Sequence, residues 1–251
     1  SANSPGFEDF VSDVAFSHGS GFFEQSFDVS LQSETPGAVI RYTIDGSTPS
    51  PAGGLVYTDP VEVADTTVLR VAAFLDGYEP SYSDTRTYIF IETPDGTGGV
   101  LNQPRSPAGF PRTWGEGILA DYEMDRDVVT DPAYRDELAD DLLALPSLSL
   151  VSDLDNLFHP STNPDIGGIY SNSRSSGSRW ERPCSMEFIY PDGREGVQVN
   201  CGIRIYGGIN RRPDITPKHT LRLLFKKEYG PGRLRFPIYP DSEVDSFDTL
   251  V

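Results

Sequence analysis

A hairpin pattern in the C-terminal half constrains the fold of this chain more than any other feature of its sequence. The segments CSMEFIY (184–190) and VQVNCGIRIY (197–206) alternate apolar and polar residues on either side of the turn-forming triplet Pro-Asp-Gly. A turn centred on Asp-Gly places Cys184 opposite Cys201 and collects the apolar side chains on one face. A shift of one residue would expose that set to water, so burial favours this register. A glycine bulge at the turn is the alternative, and it would move the pairing by one residue.

The same register makes the only two cysteines of the chain cross-strand neighbours. Residues at that separation are close enough for a disulfide bond. Two small buried thiols would pack there equally well, and the sequence leaves both states open.

Composition indicates a folded, turn-rich protein. The chain has 251 residues, of which 37% are hydrophobic, and its 24 Gly and 21 Pro favour many turns and little helix. This length is sufficient for two modest domains. No segment approaches the roughly 20 apolar residues that span a bilayer, so we expect no membrane span. The polar opening SANSPGFEDF does not resemble a signal peptide.

The net charge of −18 is unevenly distributed. Residues 1–92 carry 14 acidic and 3 basic residues, and residues 93–145 carry 11 and 4. Residues 146–251 carry 13 of each and hold all three lysines. The acidic N-terminal part argues against nucleic acid and anionic membranes as partners, and we interpret its charge as a contribution to solubility. Any anion is expected to bind in the C-terminal part.

Short alternating runs separated by Gly and Pro predict a β-sandwich of about seven strands over residues 14–92, after a linker remnant at 1–13. Within it, TPGAVIRYTIDGSTPS is followed by TVLRVAAFLDGYEPS. This combination resembles the immunoglobulin-like module named after the C-terminal domain of chitobiase and β-hexosaminidase. The resemblance implies an accessory or spacer domain of secreted bacterial proteins. Tyr57, Phe74 and Tyr78 could form a sugar-binding platform there, although packing in the core or at its rim is the use we expect.

Residues 93–145 read as a linker followed by one helix. The linker is rich in Gly, Pro and Thr. The helix is predicted over Pro132–Leu143, with Asp131 as its N-cap and an apolar face of Tyr134, Leu138, Leu142 and Leu143.

Residues 146–251 predict strands at 147–151, 167–170, 218–225 and 234–239 around the hairpin. The ordered segments LPSLSLVSDLDNLF, GGIYSN, WERPCSMEFIYPDG, VNCGIRIYGGINRR, KHTLRLLFKKEYG and FDTLV resemble the N-terminal half of the CotH kinase family. We therefore expect a mainly β fold, and the two resemblances imply an immunoglobulin-like sandwich followed by an α+β kinase-like N-lobe fragment. The resemblance implies an atypical kinase that transfers phosphate from ATP, with Mg²⁺, to Ser or Thr of a protein substrate.

A triphosphate would need fixed cations and backbone N–H groups. On a strand, Lys218 and Arg222 would share one face with Thr220. Further candidate nucleotide-binding residues are Arg204, Gly207, Gly208, Arg211 and Arg212. The segment GGINRR matches neither a Walker loop nor the glycine-rich loop of ordinary kinases, and a solvated hairpin tip is the alternative interpretation.

We expect no catalytic or metal-binding residue in this chain. In the CotH family the carboxylates that hold Mg²⁺ follow the position that matches Val251, so this chain is expected to be an inactive fragment of a secreted or cell-surface bacterial kinase. The three histidines are scattered and suggest neither a triad nor a zinc site. The alternative is a non-catalytic binding or structural protein of the cell surface, associated with a polysaccharide or another surface component.

Overall fold

The computed structural model describes residues 9–114, 116–239 and 241–251, without the side chain of Asp136. With 31% strand and 11% helix, the structure confirms that the fold is mainly β. The chain divides into two compact units. The first comprises the described residues of Ser1–Asn102 with Met124–Ser147 and Ile189–Gly196, and the second comprises the described residues of Gln103–Glu123, Leu148–Phe188 and Val197–Val251.

The elements of the N-terminal part are short strands followed by two helices. They are β1 (Val14–Phe16), β2 (Gly21–Phe22), β3 (Phe27–Val29), β4 (Leu31–Ser33), β5 (Val39–Thr43), β6 (Leu55–Val56), β7 (Val61–Val63), β8 (Thr67–Phe74), β9 (Asp84–Ile89), β10 (Thr113–Trp114), β11 (Ile118–Leu119), α1 (Arg126–Val129) and α2 (Arg135–Leu143).

The C-terminal part contains one short helix and longer strands. Its elements are β12 (Ser147–Val151), α3 (Leu154–Phe158), β13 (Arg182–Ile189), β14 (Val197–Ile205), β15 (Leu221–Leu224), β16 (Leu234–Arg235), β17 (Ser246–Phe247) and β18 (Thr249–Leu250).

The first unit contains a five-stranded sheet, in the order β2-β9-β8-β5-β6, and two strand pairs, β1-β4 and β3-β7. One hydrophobic cluster contains side chains from all three, among them Leu69 of β8, Leu31 of β4 and Val63 of β7. Side chains of separate sheets that share one core are the arrangement expected of a β-sandwich. Residues 9–13 join this core, because Val11 is buried and its N–H donates to Glu79 O. The expected linker therefore packs on the sandwich from residue 9, and residues 1–8 lie outside the described residues.

The turn motif between β5 and β6 folds as its residue types require. Asp45 Oδ1 accepts hydrogen bonds from the N–H of Ser47 at 2.9 Å and from its hydroxyl at 2.5 Å. These bonds lower the pKa of Asp45, because they stabilise the carboxylate. Gly46 has a φ of 81°, which glycine adopts without strain, and its carbonyl accepts from Arg70 Nη1.

The helical region differs from its prediction in its boundary and its burial. Helix α2 begins at Arg135, with Tyr134 as N-cap, and Asp131 instead accepts a hydrogen bond from Ala133 N within the preceding turn. The predicted apolar face is not a buried face, since Tyr134 is 57% exposed and Leu143 is 38% exposed.

The second unit is built on a five-stranded sheet in the order β12-β13-β14-β15-β18, in which the β13-β14, β14-β15 and β15-β18 pairs are antiparallel. The predicted hairpin register is confirmed, because Cys184 pairs with Cys201 and Phe188 pairs with Val197. The apolar face of this sheet forms a second hydrophobic cluster that includes Met186, Cys201, Ile203 and Leu223. The predicted strand at 147–151 is also confirmed.

Three strand predictions in this unit were wrong in part or in full. Residues 167–170 form no strand, because the backbone N–H groups of 168–170 donate to the carbonyls of residues 156–159 rather than to a neighbouring strand. Ile169 still packs in the hydrophobic cluster of the sheet. The strand predicted at 218–225 is confined to Leu221–Leu224, so Lys218 is not on it. The strand predicted at 234–239 ends at Arg235, the last residue that pairs with β17.

Candidate functional site

The polar face of the second sheet brings two of the predicted cations together. Arg204 of β14 lies directly opposite Arg222 of β15, so both side chains are on one face. Arg222 lies over the ring of Tyr206, 4.9 Å from its centroid, and its Nε donates to Thr249 Oγ1. Like charges at directly opposite positions destabilise a sheet unless an anion lies nearby.

Glu181, immediately before β13, supplies that anion. Its carboxylate accepts from Arg204 Nη1 at 3.2 Å and from Lys226 Nζ at 2.5 Å. The Glu181 side chain is 3% exposed, whereas that of Lys226 is 39% exposed. A buried carboxylate thus holds one half-buried lysine at the edge of the polar face.

The predicted glycine loop is a short 3-10 turn rather than an open phosphate cradle. Gly207 has a φ of 111°, which favours glycine, and the turn follows over Ile209–Arg211. Arg211 donates to the carbonyls of Gly207 at 2.6 Å and Ile205 at 2.8 Å, and also to that of Ser175. Burial lowers the pKa of Arg211, and the charge of Arg204 contributes. Arg211 therefore closes this loop through backbone contacts.

The remaining predicted cations hold carboxylates. Lys218 Nζ lies 3.2 Å from Asp121 Oδ2, and Arg212 pairs with Asp214 at 2.5 Å. Asp214 also lies near Arg174, which binds Glu116. The hydrogen bond from Arg212 lowers the pKa of Asp214. A phosphate bound at these positions would have to replace existing partners.

The structure therefore assembles the predicted site in part. Arg204 and Arg222 share one face, Arg211 and Gly207 lie in the loop that follows β14, and Lys218 and Arg212 hold separate ion pairs. Gly208 precedes the 3-10 turn, with open space where a Cβ would stand. The nucleotide site remains a prediction.

Sequence reasoning missed Glu181 and Lys226 as a pair. Forty-five residues separate them, and neither lies in a local motif. The available signal was the combination of a single acid within the basic segment SRWERP and a lysine that directly follows an apolar strand.

The cysteine pair lies on the opposite, apolar face. Both Cys184 and Cys201 are buried free thiols. The neighbouring Cys184 thiol and burial raise the pKa of Cys201. Cys184 also lines a cavity of about 200 Å³ that is walled by Trp114, Tyr122, Phe158 and Tyr170. Trp114 Nε1 donates to the hydroxyl of Tyr122, which donates to Pro111 O, so these polar groups are satisfied within the wall.

The aromatic residues considered for sugar binding in the first unit serve the core at two positions. Tyr57 and Tyr78 are partly buried against the hydrophobic cluster, and the Tyr57 hydroxyl accepts from Leu31 N at 3.1 Å. Phe74 is half-buried at the end of β8, opposite Val39.

The geometry of the first unit agrees with a comparison against known families. Residues 18–85 match the chitobiase/beta-hexosaminidase C-terminal domain family. This chitobiase-type module contains the Asp45 turn and the strands from β2 to β8, and it accounts for well under half of the chain. No curated protein and no solved structure matches the chain.

The described residues contain neither a metal-binding cluster nor a membrane-spanning helix. In the described ranges, no three His, Cys, Asp or Glu side chains converge in a way that could hold a metal ion. None of the helices in those ranges has the length and apolar character needed to cross a membrane.

Proposed function

We propose that residues 146–251 form the nucleotide-binding lobe of a CotH-like protein kinase, with the chitobiase-type module as its spacer. In this proposal the protein is a secreted or cell-surface bacterial protein whose parent activity transfers phosphate from ATP to Ser or Thr of a partner protein.

One observation supports this proposal above the others: Glu181, a buried carboxylate, pairs with both Lys226 and Arg204, and Arg204 lies opposite Arg222 on one face of the sheet. In protein kinases a Lys–Glu ion pair positions the lysine that contacts the nucleotide phosphates. The parallel is an analogy of roles, since Glu181 here precedes a strand rather than lying on a helix. Arg204 and Lys226 pair with this one carboxylate and Arg222 lies opposite Arg204, so the four side chains together carry a net positive charge that a triphosphate would neutralise.

The residues present fit the phosphates better than they fit the metal. Lys226 is exposed enough to meet a phosphate oxygen while Glu181 fixes its direction. Bound Mg²⁺ would supply charge neutralisation at the β- and γ-phosphates. Because the described residues include no cluster of carboxylates that could hold it, we assign no catalytic step to this chain and expect binding without turnover.

The test is an isothermal titration of the protein with ATP and Mg²⁺. Lys226→Met and Arg222→Ala are each expected to weaken ATP binding at least about tenfold, because each removes a positive charge that would attract the phosphates. Lys218→Ala measures the contribution of Lys218, which was predicted to bind phosphate, separately. Arg105→Ala is the matched control, because Arg105 is an exposed cation 3.9 Å from Glu123. Equal affinity of the wild type and Lys226→Met, or phosphate transfer by this chain alone, would contradict the proposal.

A second candidate function is favoured by the partners that three of the predicted phosphate-binding cations already have. Because Lys218, Arg211 and Arg212 already have structural partners, the kinase-like region would serve as a scaffold without a nucleotide. The chain would then be a non-catalytic surface protein, and the chitobiase-type module would contribute to polysaccharide association. This alternative predicts no ATP binding and co-sedimentation with an insoluble polysaccharide such as chitin.

A further inference from the structure

Strand β14 has one edge that its neighbours leave open. Strand β13 pairs with β14 along Val197–Ile203, but β15 reaches only Gly202–Ile205. The loop after β15 then folds back at Gly230, whose Cα lies so close to Asn200 that an added Cβ would be 2.4 Å from Asn200 O. The loop therefore covers the edge as far as Asn200, and the open part of the edge includes Gln198.

The backbone of Gln198 faces this open side. Just past the end of β14, the N–H of Tyr206 donates to Thr220 O on the β15 side, and backbone groups alternate direction along an antiparallel strand. Gln198 lies eight residues before Tyr206, so its N–H and C=O point in the same direction. In the described part of the chain, no backbone hydrogen bond outside the ladder reaches Gln198. Its side chain is held elsewhere, since Nε2 donates to Ser185 Oγ and Asn200 Oδ1.

This edge forms the wall of a basic groove. The groove has a volume of about 580 Å³, and Val197–Val199 line one side while Pro231–Arg235 and Lys227 line the other. Arg233 is paired with Asp248 at 2.8 Å. Lys227 and Arg235 are exposed, and neither has an ion pair within the described residues. The backbone N–H and C=O of Gln198 thus lie beside Lys227 and Arg235, two cations without an ion pair in the described residues, although the whole chain has a net charge of −18.

We propose that this groove binds an extended acidic segment of a partner protein, which adds as a strand at Gln198. The segment's backbone would bond the N–H and C=O of Gln198, and its carboxylate or phosphorylated side chains would meet Lys227 and Arg235. Strand addition combines main-chain hydrogen bonds with side-chain selection at alternate positions. This inference is independent of the proposed nucleotide site, because none of its residues belongs to the group of Glu181, Arg204, Arg222 and Lys226 (the Glu181 cluster).

A labelled peptide with alternating Glu and Val tests the proposal by fluorescence anisotropy. A Lys-Val peptide is the charge control, and a phosphoserine version distinguishes phosphate from carboxylate recognition. We expect the Lys227→Glu, Arg235→Glu double variant to weaken binding of the acidic peptide at least tenfold and added salt to weaken it in the wild type. Arg126→Glu is the control variant, since Arg126 is an exposed cation on α1. Equal binding of the acidic and lysine peptides, or no loss in the double variant, would overturn the proposal.

Hydrogen exchange separates strand addition from simple ion attraction. We expect the peptide to slow exchange of the Gln198 amide, and Gln198→Pro to abolish binding without unfolding, because the lost N–H makes no ladder bond. Thermal unfolding checks that this variant is folded. Charge-dependent binding with unchanged Gln198 exchange would overturn strand addition. Self-association that Arg235→Glu abolishes would show that the bound strand comes from a second copy of this chain and not from a partner protein. Absence of any peptide binding would overturn the proposal and would indicate that the cations only prevent other strands from pairing with this edge.

Discussion

The ring of Tyr229 lies directly against the Cα of Gly202: a Cβ added at position 202 would come within 2.4 Å of Tyr229 Cε2. The loop after β15 thereby packs on β14 at a point where no side chain stands. This contact positions the loop that supplies both Lys226, for the Glu181 cluster, and Lys227, for the basic groove.

We expect Gly202→Ala to reduce the free energy of unfolding by about 1–3 kcal/mol, because the added methyl group overpacks the contact with Tyr229. Urea denaturation measures the change. Gly232→Ala is the control, since its Cβ would meet only the flexible Lys227 side chain, at 3.2 Å. Equal destabilisation by the two substitutions would contradict the proposed packing.

Tyr229 also predicts a pH dependence at the alkaline end. Burial, followed by the charges of Glu228 and Glu181, raises the pKa of Tyr229 to about 12. Because the folded state holds this proton more tightly than the unfolded state, its contribution is fully present below the ordinary tyrosine pKa of about 10 and is lost as pH rises toward 12. Tyr229→Phe should remove that part of the stability profile, whereas Tyr239→Phe should not. A profile that Tyr229→Phe leaves unchanged would argue against the raised pKa.

Glu181→Gln is expected to cost about 3 kcal/mol or more of unfolding free energy, because it removes the buried charge that compensates Arg204 and Lys226. Asp165→Asn is the matched surface change. Its carboxylate pairs with Arg179, and both side chains are about two-thirds exposed, so a loss below about 1 kcal/mol is expected. Chemical denaturation compares them, and equal small losses would show that the Glu181 cluster is not a buried ion-pair network.

The cross-strand cysteines predict slow alkylation in the folded protein and fast alkylation in urea, because both thiols are buried and the raised pKa of Cys201 disfavours its thiolate. A thiol oxidant should join Cys184 to Cys201 within one chain, a loss of two hydrogens by mass. In the chain-entropy model the closed loop adds about 3 kcal/mol of stability. Cys184→Ser is the control, and disulfide-linked dimers of the wild type would contradict the cross-strand pairing.

The hairpin register was predictable because its information is local. Two alternating segments and an Asp-Gly turn leave one register that buries the apolar set, and the pairing of Cys184 with Cys201 follows from it. The chitobiase-type module was predictable for the same reason, since Asp45 and Ser47 bond one another across two residues.

Local patterns misled where distant residues compete for the backbone. Residues 167–170 have the composition of a strand, but their backbone N–H groups at 168–170 donate to the carbonyls of residues 156–159, 9 to 13 residues away. Lys218 extends the alternation of β15, yet it pairs with Asp121 outside the strand. Neither competitor is visible in a short window of sequence.

The sequence by itself determined that the fold is mainly β, which residues pair in the hairpin, and that all three lysines lie within residues 146–251. Only the tertiary structure decided which charged side chains form ion pairs with one another. Arg204 and Lys226 reach Glu181 from 23 and 45 residues away. Their meeting depends on how β13, β14 and β15 are ordered in the sheet, because a buried carboxylate is stable only where the fold brings cations to it.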